Sequence, residues 1–188
     1  MKFKLGSTLF EASFIAVALM SLVLVLDVTG NIAMCFLCAI LHECGHIIAM
    51  RCFGIVPKSI TLRLFDIVIK ADSDKAFLPD LLITLSGPMM NILLSVTAFF
   101  ISKPFCYVNL YIAVFNLLPI DTFDGGRALS LLLCRKFSIK SVRFVLRSLT
   151  FTFLVPIFLL GIQVLLYSKY NYSLLLISLY LLAILFLK

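Results

Sequence analysis

Long apolar runs recur along the chain at about 9–26, 32–53, 79–101, 105–120, 149–168 and 172–187, each closed by polar or charged residues. A membrane-spanning helix needs about 20 predominantly apolar residues, so the pattern predicts six crossings. The first run is too long for a cleaved leader, and no small-residue cleavage site follows it before Asp27, so it is expected to remain as a helix. Between the second and third runs the period changes. In GIVPKSITLRLFDIVIKA, residues 54–71, Ile60, Leu62 and Leu64 alternate with Thr61, Arg63 and Phe65, and β-branched residues continue to Ile69. Alternation with period two predicts a strand pair over about 55–71. This stretch is too short and too charged to span, and an open strand edge is not stable in lipid, so the hairpin belongs at the interface or in an aqueous cavity. The expected fold is an all-α polytopic membrane protein of about six transmembrane helices, with a membrane-associated β-hairpin after the second.

Composition agrees. Of 188 residues, 63% are hydrophobic, against about 45–50% apolar in soluble domains, and the mean hydropathy is +1.17. With no linker-like stretch and no internal repeat, a single domain over 1–188 is expected. The net charge of +7 fits loops facing anionic lipid better than a nucleic-acid surface, and no nucleic acid is expected as a partner. With both termini in the cytoplasm, fourteen of the sixteen Lys and Arg fall on the inside, and Lys103 and Lys169 fall outside. Six cysteines lie mostly in apolar segments, where cysteine behaves as a small hydrophobe, and no disulfide framework is expected. The C-x-x-C of Cys35 and Cys38 stands without a second pair and reads as packing.

The second run carries ionisable groups at membrane depth: CAILHECGHIIAM, residues 38–50. His42 and His46 are four apart and share a helix face, and Glu43 completes H-E-x-x-H, the spacing by which two imidazoles bind zinc while the carboxylate acts as base. Two neutral imidazoles hold the ion without cancelling its charge, and the ion lowers the pKa of water at its open position toward about 7. Intramembrane His and Glu are costly and generally functional. A catalytic zinc takes a third protein ligand, and FNLLPIDTFDGGRAL, residues 115–129, offers Asp124, followed by Gly125 and Gly126, with Asp121 as a second acid. In LSGPMMNIL, residues 85–93, Gly87, Pro88 and Asn91 interrupt an apolar helix. Asn91 either bridges helices or contacts a substrate backbone near the metal, and Asn116 poses the same choice.

HECGHIIA, SGPMMN and NLLPIDTFDGGR resemble, in order and spacing, the H-E-x-G-H, G-P-x-x-N and N-x-x-P-x-x-x-x-D-G-G motifs of the site-two protease family of intramembrane zinc metalloproteases. The resemblance covers about residues 32–135, and the six-helix topology resembles the branch containing the stage IV sporulation protease. It implies one zinc ion per chain held by His42, His46 and Asp124, with Glu43 as the catalytic residue and Asn91 toward substrate; Asn116 is read beside it as a second substrate contact. The implied partners are a membrane-anchored protein substrate, the lipid bilayer and a regulatory membrane protein, in a multi-pass protein of a bacterial cell membrane. The hairpin corresponds to a membrane-associated β element that receives substrate as an added strand. The Gly-Gly often found there is absent, and Phe65-Asp66 stands near its place. Neither a PDZ nor a CBS module fits in the chain. The expected activity is a zinc metalloendopeptidase cutting membrane-anchored regulators within or near their transmembrane segments. Two other classes compete: a proteolytically silent scaffold or chaperone for partner helices, which has no need of Glu43, and a metal transporter, whose site belongs near the midplane.

Overall fold

The structure is a computed structural model that describes residues 2–5, 8–62, 67–70, 77–168, 175 and 179. It divides into two compact units, Met1–Phe115 and Asn116–Lys188. The first holds β1 (Lys2–Leu5), β2 (Thr8–Ala12), α1 (Phe14–Val25), α2 (Asn31–Cys52), β3 (Ser59–Leu62), β4 (Ile67–Lys70), α3 (Phe77–Ala98) and most of α4 (Lys103–Asn116). The second holds α5 (Asp124–Leu133) and α6 (Ile139–Ser168).

Six helices stand among the described residues, and three of them, α2, α3 and α6, are long and apolar enough to cross a membrane. They leave large side chains such as Leu37, Ile48, Leu93, Val96 and Leu159 exposed, as lipid-facing surfaces require. The chain is an integral membrane protein. Boundaries differ from the sequence reading in three places. Residues 9–12 belong to strand β2, which leaves α1 only 12 residues; α4 has 14, short of the roughly 20 that a spanning helix needs. Helix α6 begins ten residues earlier than the apolar run, because charged residues at 140–147 continue the helix. The expected crossing at 172–187 lies outside the described residues, apart from 175 and 179, as does the hairpin turn at Phe65-Asp66.

The hairpin is half of a larger sheet. Four strands run in the order β1-β2-β3-β4. β1 and β2 are antiparallel, β2 lies parallel to β3, and β3 is antiparallel to β4 with Ile60 opposite Ile69. β3 is therefore internal, paired on both sides, and among the described residues the sheet's edges are β1 and β4. Thr8 ties the strands together, its hydroxyl donating to the Pro57 carbonyl at 2.8 Å.

Both ends of α2 are fixed by local chemistry. Before it, the Asp27 carboxylate accepts from the Ala33 amide at 2.9 Å and from the Thr29 hydroxyl at 3.0 Å, satisfying a donor that the first helical turn leaves unpaired. After it, Gly54 takes φ 66°, and the Gly54 and Ile55 amides donate to the Arg51 and Met50 carbonyls. That is the paired-bond helix stop, in which glycine supplies the left-handed residue and the next apolar side chain folds back on the last turn. Ile55 does so, packing with Met50 and Ile83. Where α2 meets α3, a Cβ on Gly45 would stand 2.7 Å from the Ser86 carbonyl oxygen, so the absence of a side chain sets how closely the two helices approach.

In the second unit Ile120 and Leu154 form a small core with Leu118, Phe123 and Phe153 around them. Thr150 of α6, buried, accepts from the Asp121 backbone amide at 3.1 Å. Gly125 and Gly126 lie against the carbonyls of Leu117 and Ile120. Their lack of side chains thus seats the start of α5 on the preceding loop.

Candidate metal centre

His42 and His46 project from one face of α2 and are 5% and 9% exposed. Their Nε2 atoms are 3.3 Å apart and the rings meet edge to face. Each ring's other nitrogen is anchored on α3. His46 Nδ1 stands 2.8 Å from the Ile83 carbonyl oxygen, and His42 Nδ1 stands 3.0 Å from Asn91 Oδ1. Both anchors are acceptors, so each Nδ1 carries the proton and each Nε2 presents a lone pair. That arrangement is what a metal-binding imidazole needs, since the bond at one nitrogen fixes the tautomer at the other. The Ile83 carbonyl also accepts from the Ser86 hydroxyl, at 2.6 Å, so one carbonyl oxygen serves both donors.

The spacing suits zinc. Two nitrogens at about 2.0–2.1 Å from a tetrahedral ion stand about 3.3–3.4 Å from each other, matching the observed 3.3 Å. Gly87 leaves room for it. A Cβ there would fall on His46 Nε2 and within 2.7 Å of His42 Nε2, so a side chain at this position would collide with both imidazoles.

Asp124 is the first residue of α5, entered from Phe123 in extended conformation, a position where the helix dipole favours an anion. Asp124, in the second unit, offers the carboxylate that could complete a metal-binding set with His42 and His46 of the first. Two imidazoles and a carboxylate, with a position left open, are a recognised donor set for catalytic zinc.

The remaining sequence candidates fall as follows. Glu43 follows His42 on α2 and is half-buried; Asn116 ends α4 and is half-buried. Asn91 is fully buried and bridges helices, its amide nitrogen reaching Asn109 Oδ1 at 3.2 Å and the Cys38 carbonyl at 3.5 Å. Asn109 and the Ile83 carbonyl were not among the sequence candidates. Asn109 carries a signal, being an asparagine in the apolar stretch 105–114; the carbonyl carries none, since any residue would supply it.

No protein-family model matches the chain, and no curated protein matches it in sequence. In structure it is similar to the site-2 protease from Methanocaldococcus jannaschii, with a TM-score of 0.70 and 23% sequence identity, over 96% of this chain and 91% of that one. The chain therefore has the fold of a site-2 protease.

Proposed function

We propose that this chain, built on the fold of a site-2 protease, is an intramembrane zinc metalloendopeptidase that hydrolyses membrane-anchored regulatory proteins within or near their transmembrane segments. One observation carries the reading: two buried imidazoles, each with its Nδ1 proton anchored, present Nε2 atoms at the separation of two zinc ligands, beside a glycine that keeps the space clear. A silent scaffold would not require both tautomers to be set this way.

In this reading His42, His46 and Asp124 hold one zinc ion. When bound, zinc supplies Lewis acidity to the attacking water and to the scissile carbonyl. Glu43, adjacent to His42 in the chain, takes the proton from the attacking water and passes it to the leaving amine as the C–N bond breaks. Asn91 holds His42 rather than substrate, since both ends of its amide are engaged inside the protein. Asn116 is assigned to the substrate backbone. A substrate helix must unwind to expose a peptide bond, and strand pairing offsets part of that cost. We place this pairing on β4, the edge of the hairpin that has no neighbouring strand among the described residues. Thr61 lies on internal β3, so proline there would disrupt the sheet itself and not only docking.

The test is cleavage by the purified protein of tagged single-span proteins in detergent or vesicles. A shortened product should form, should disappear with a zinc chelator such as 1,10-phenanthroline, and should return with added zinc. Chelator-insensitive cleavage, or zinc-loaded protein that cuts none of a panel of single-span proteins, would contradict the proposal.

A further inference from the structure

A directed chain of hydrogen bonds crosses three helices and ends at His42. At its far end the Asn109 amide nitrogen donates to the Phe105 carbonyl at 2.9 Å and to the Cys38 sulfur at 3.2 Å. A carbonyl can only accept, so it fixes which end of the Asn109 amide is nitrogen and turns Oδ1 toward Asn91. Asn91 must then present its own nitrogen to Asn109, at 3.2 Å, and to the Cys38 carbonyl, at 3.5 Å. That leaves Asn91 Oδ1 facing His42 Nδ1 at 3.0 Å, where an acceptor demands that Nδ1 carry the proton. Asn91 and Asn109 are both fully buried, so no water competes for these bonds, and flipping either amide would set like ends against each other. His46 needs no such chain, because a backbone carbonyl, which cannot flip, holds it directly.

We propose that Asn109 is a positioning residue for the metal centre: it locks the Asn91 amide and so keeps the His42 Nε2 lone pair available to the ion. This rests on the metal reading above and extends it to a residue of α4 that touches no ligand atom. Polar partners that orient a metal-bound imidazole are worth about 10–100-fold in metal affinity. Asn109→Ala should therefore weaken zinc binding on the order of tenfold, and the loss should vanish when Asn91 is already alanine, because Asn109 acts through it. Asn109→Asp should rescue. It keeps an acceptor facing Asn91, and burial holds its carboxyl neutral, with a proton for the Phe105 carbonyl.

The chain contains only two histidines, which permits a second readout that needs no metal. In the metal-free protein labelled with 15N-histidine, the neutral imidazole of His42 should be protonated at Nδ1. In Asn109→Ala part of that population should move its proton to Nε2, while His46 stays as in the wild type and reports that the fold is intact. Zinc competition titrations of wild type, Asn109→Ala, Asn91→Ala and the double variant complete the test. An unchanged His42 tautomer in Asn109→Ala would overturn the proposal, as would an equal loss of affinity from Asn109→Ala in both backgrounds. A wild-type protein that takes up no zinc would instead defeat the metal reading, and the imidazole measurement alone would then decide the role of Asn109.

Discussion

Gly87 shows how an absent side chain can be functional. Its neighbours in space are the Nε2 atoms of both histidines, so Gly87→Ala is expected to displace the imidazoles and cost zinc retention along with activity. Gly45→Ala meets the Ser86 carbonyl and Met90 instead, and should destabilise the α2–α3 packing by about 1–3 kcal/mol, as overpacking does, with zinc still bound in the folded fraction. Metal content measured on the two variants side by side separates these effects; equal zinc loss would contradict the assignment. The two acids of the third motif divide similarly. Asp124→Asn should lose zinc and activity, because the amide lacks the anionic charge of a carboxylate ligand. Asp121→Asn should retain both, since the backbone amide of Asp121, which meets Thr150, is kept. The His42–His46 pair was legible in the sequence because ionisable groups at membrane depth stand out against apolar neighbours. The tautomer-setting partners were not, because a backbone carbonyl has no sequence signature and an asparagine becomes a relay only when three helices meet.

Among the elements, α2 was read with its bounds nearly right, because a stop glycine and a cap acid mark its two ends. The cap makes a prediction of its own. The hydrogen bond from the Ala33 amide, foremost, with help from the Thr29 hydroxyl, holds the Asp27 carboxyl below its ordinary value. A carboxylate whose folded pKa is depressed contributes stability that is present above its unfolded pKa of about 3.9 and is lost as pH falls through the folded value. Thermal melts of wild type and Asp27→Asn should thus differ at neutral pH and converge in strong acid, where Asp27 is protonated. A difference that is constant across the titration would contradict this. The sheet was half legible. The alternation over 59–70 identified β3 and β4, whereas β1 and β2 escaped because Leu9, Phe10 and Ala12 continue into the apolar run of α1, and a short apolar strand cannot be told from a helix start by period alone.

At the scale of the whole molecule, membrane character was the firmest inference from composition, and the three long apolar helices agree with it. Orientation rests on the clustering of cations. Arg135, Lys136, Lys140, Arg143 and Arg147 crowd around the start of α6 and are all exposed, and from the positive-inside rule we propose that this end faces the cytoplasm. In a cysteine-free background, a cysteine at Ser138 should be protected from an impermeant reagent in intact cells, and one at Lys103 should react; the reverse would invert the topology. Similarity of fold does not establish chemistry, however, and the central claim is that Glu43 is the base of a peptide hydrolase. It is tested most directly by purified Glu43→Gln assayed against wild type for zinc content and for cleavage of a tagged single-span protein. The account predicts equal zinc, because both imidazoles and Asp124 remain, and loss of at least the roughly 10²–10⁴-fold that a general base contributes. Cleavage by Glu43→Gln at close to the wild-type rate, with zinc in place, would contradict it.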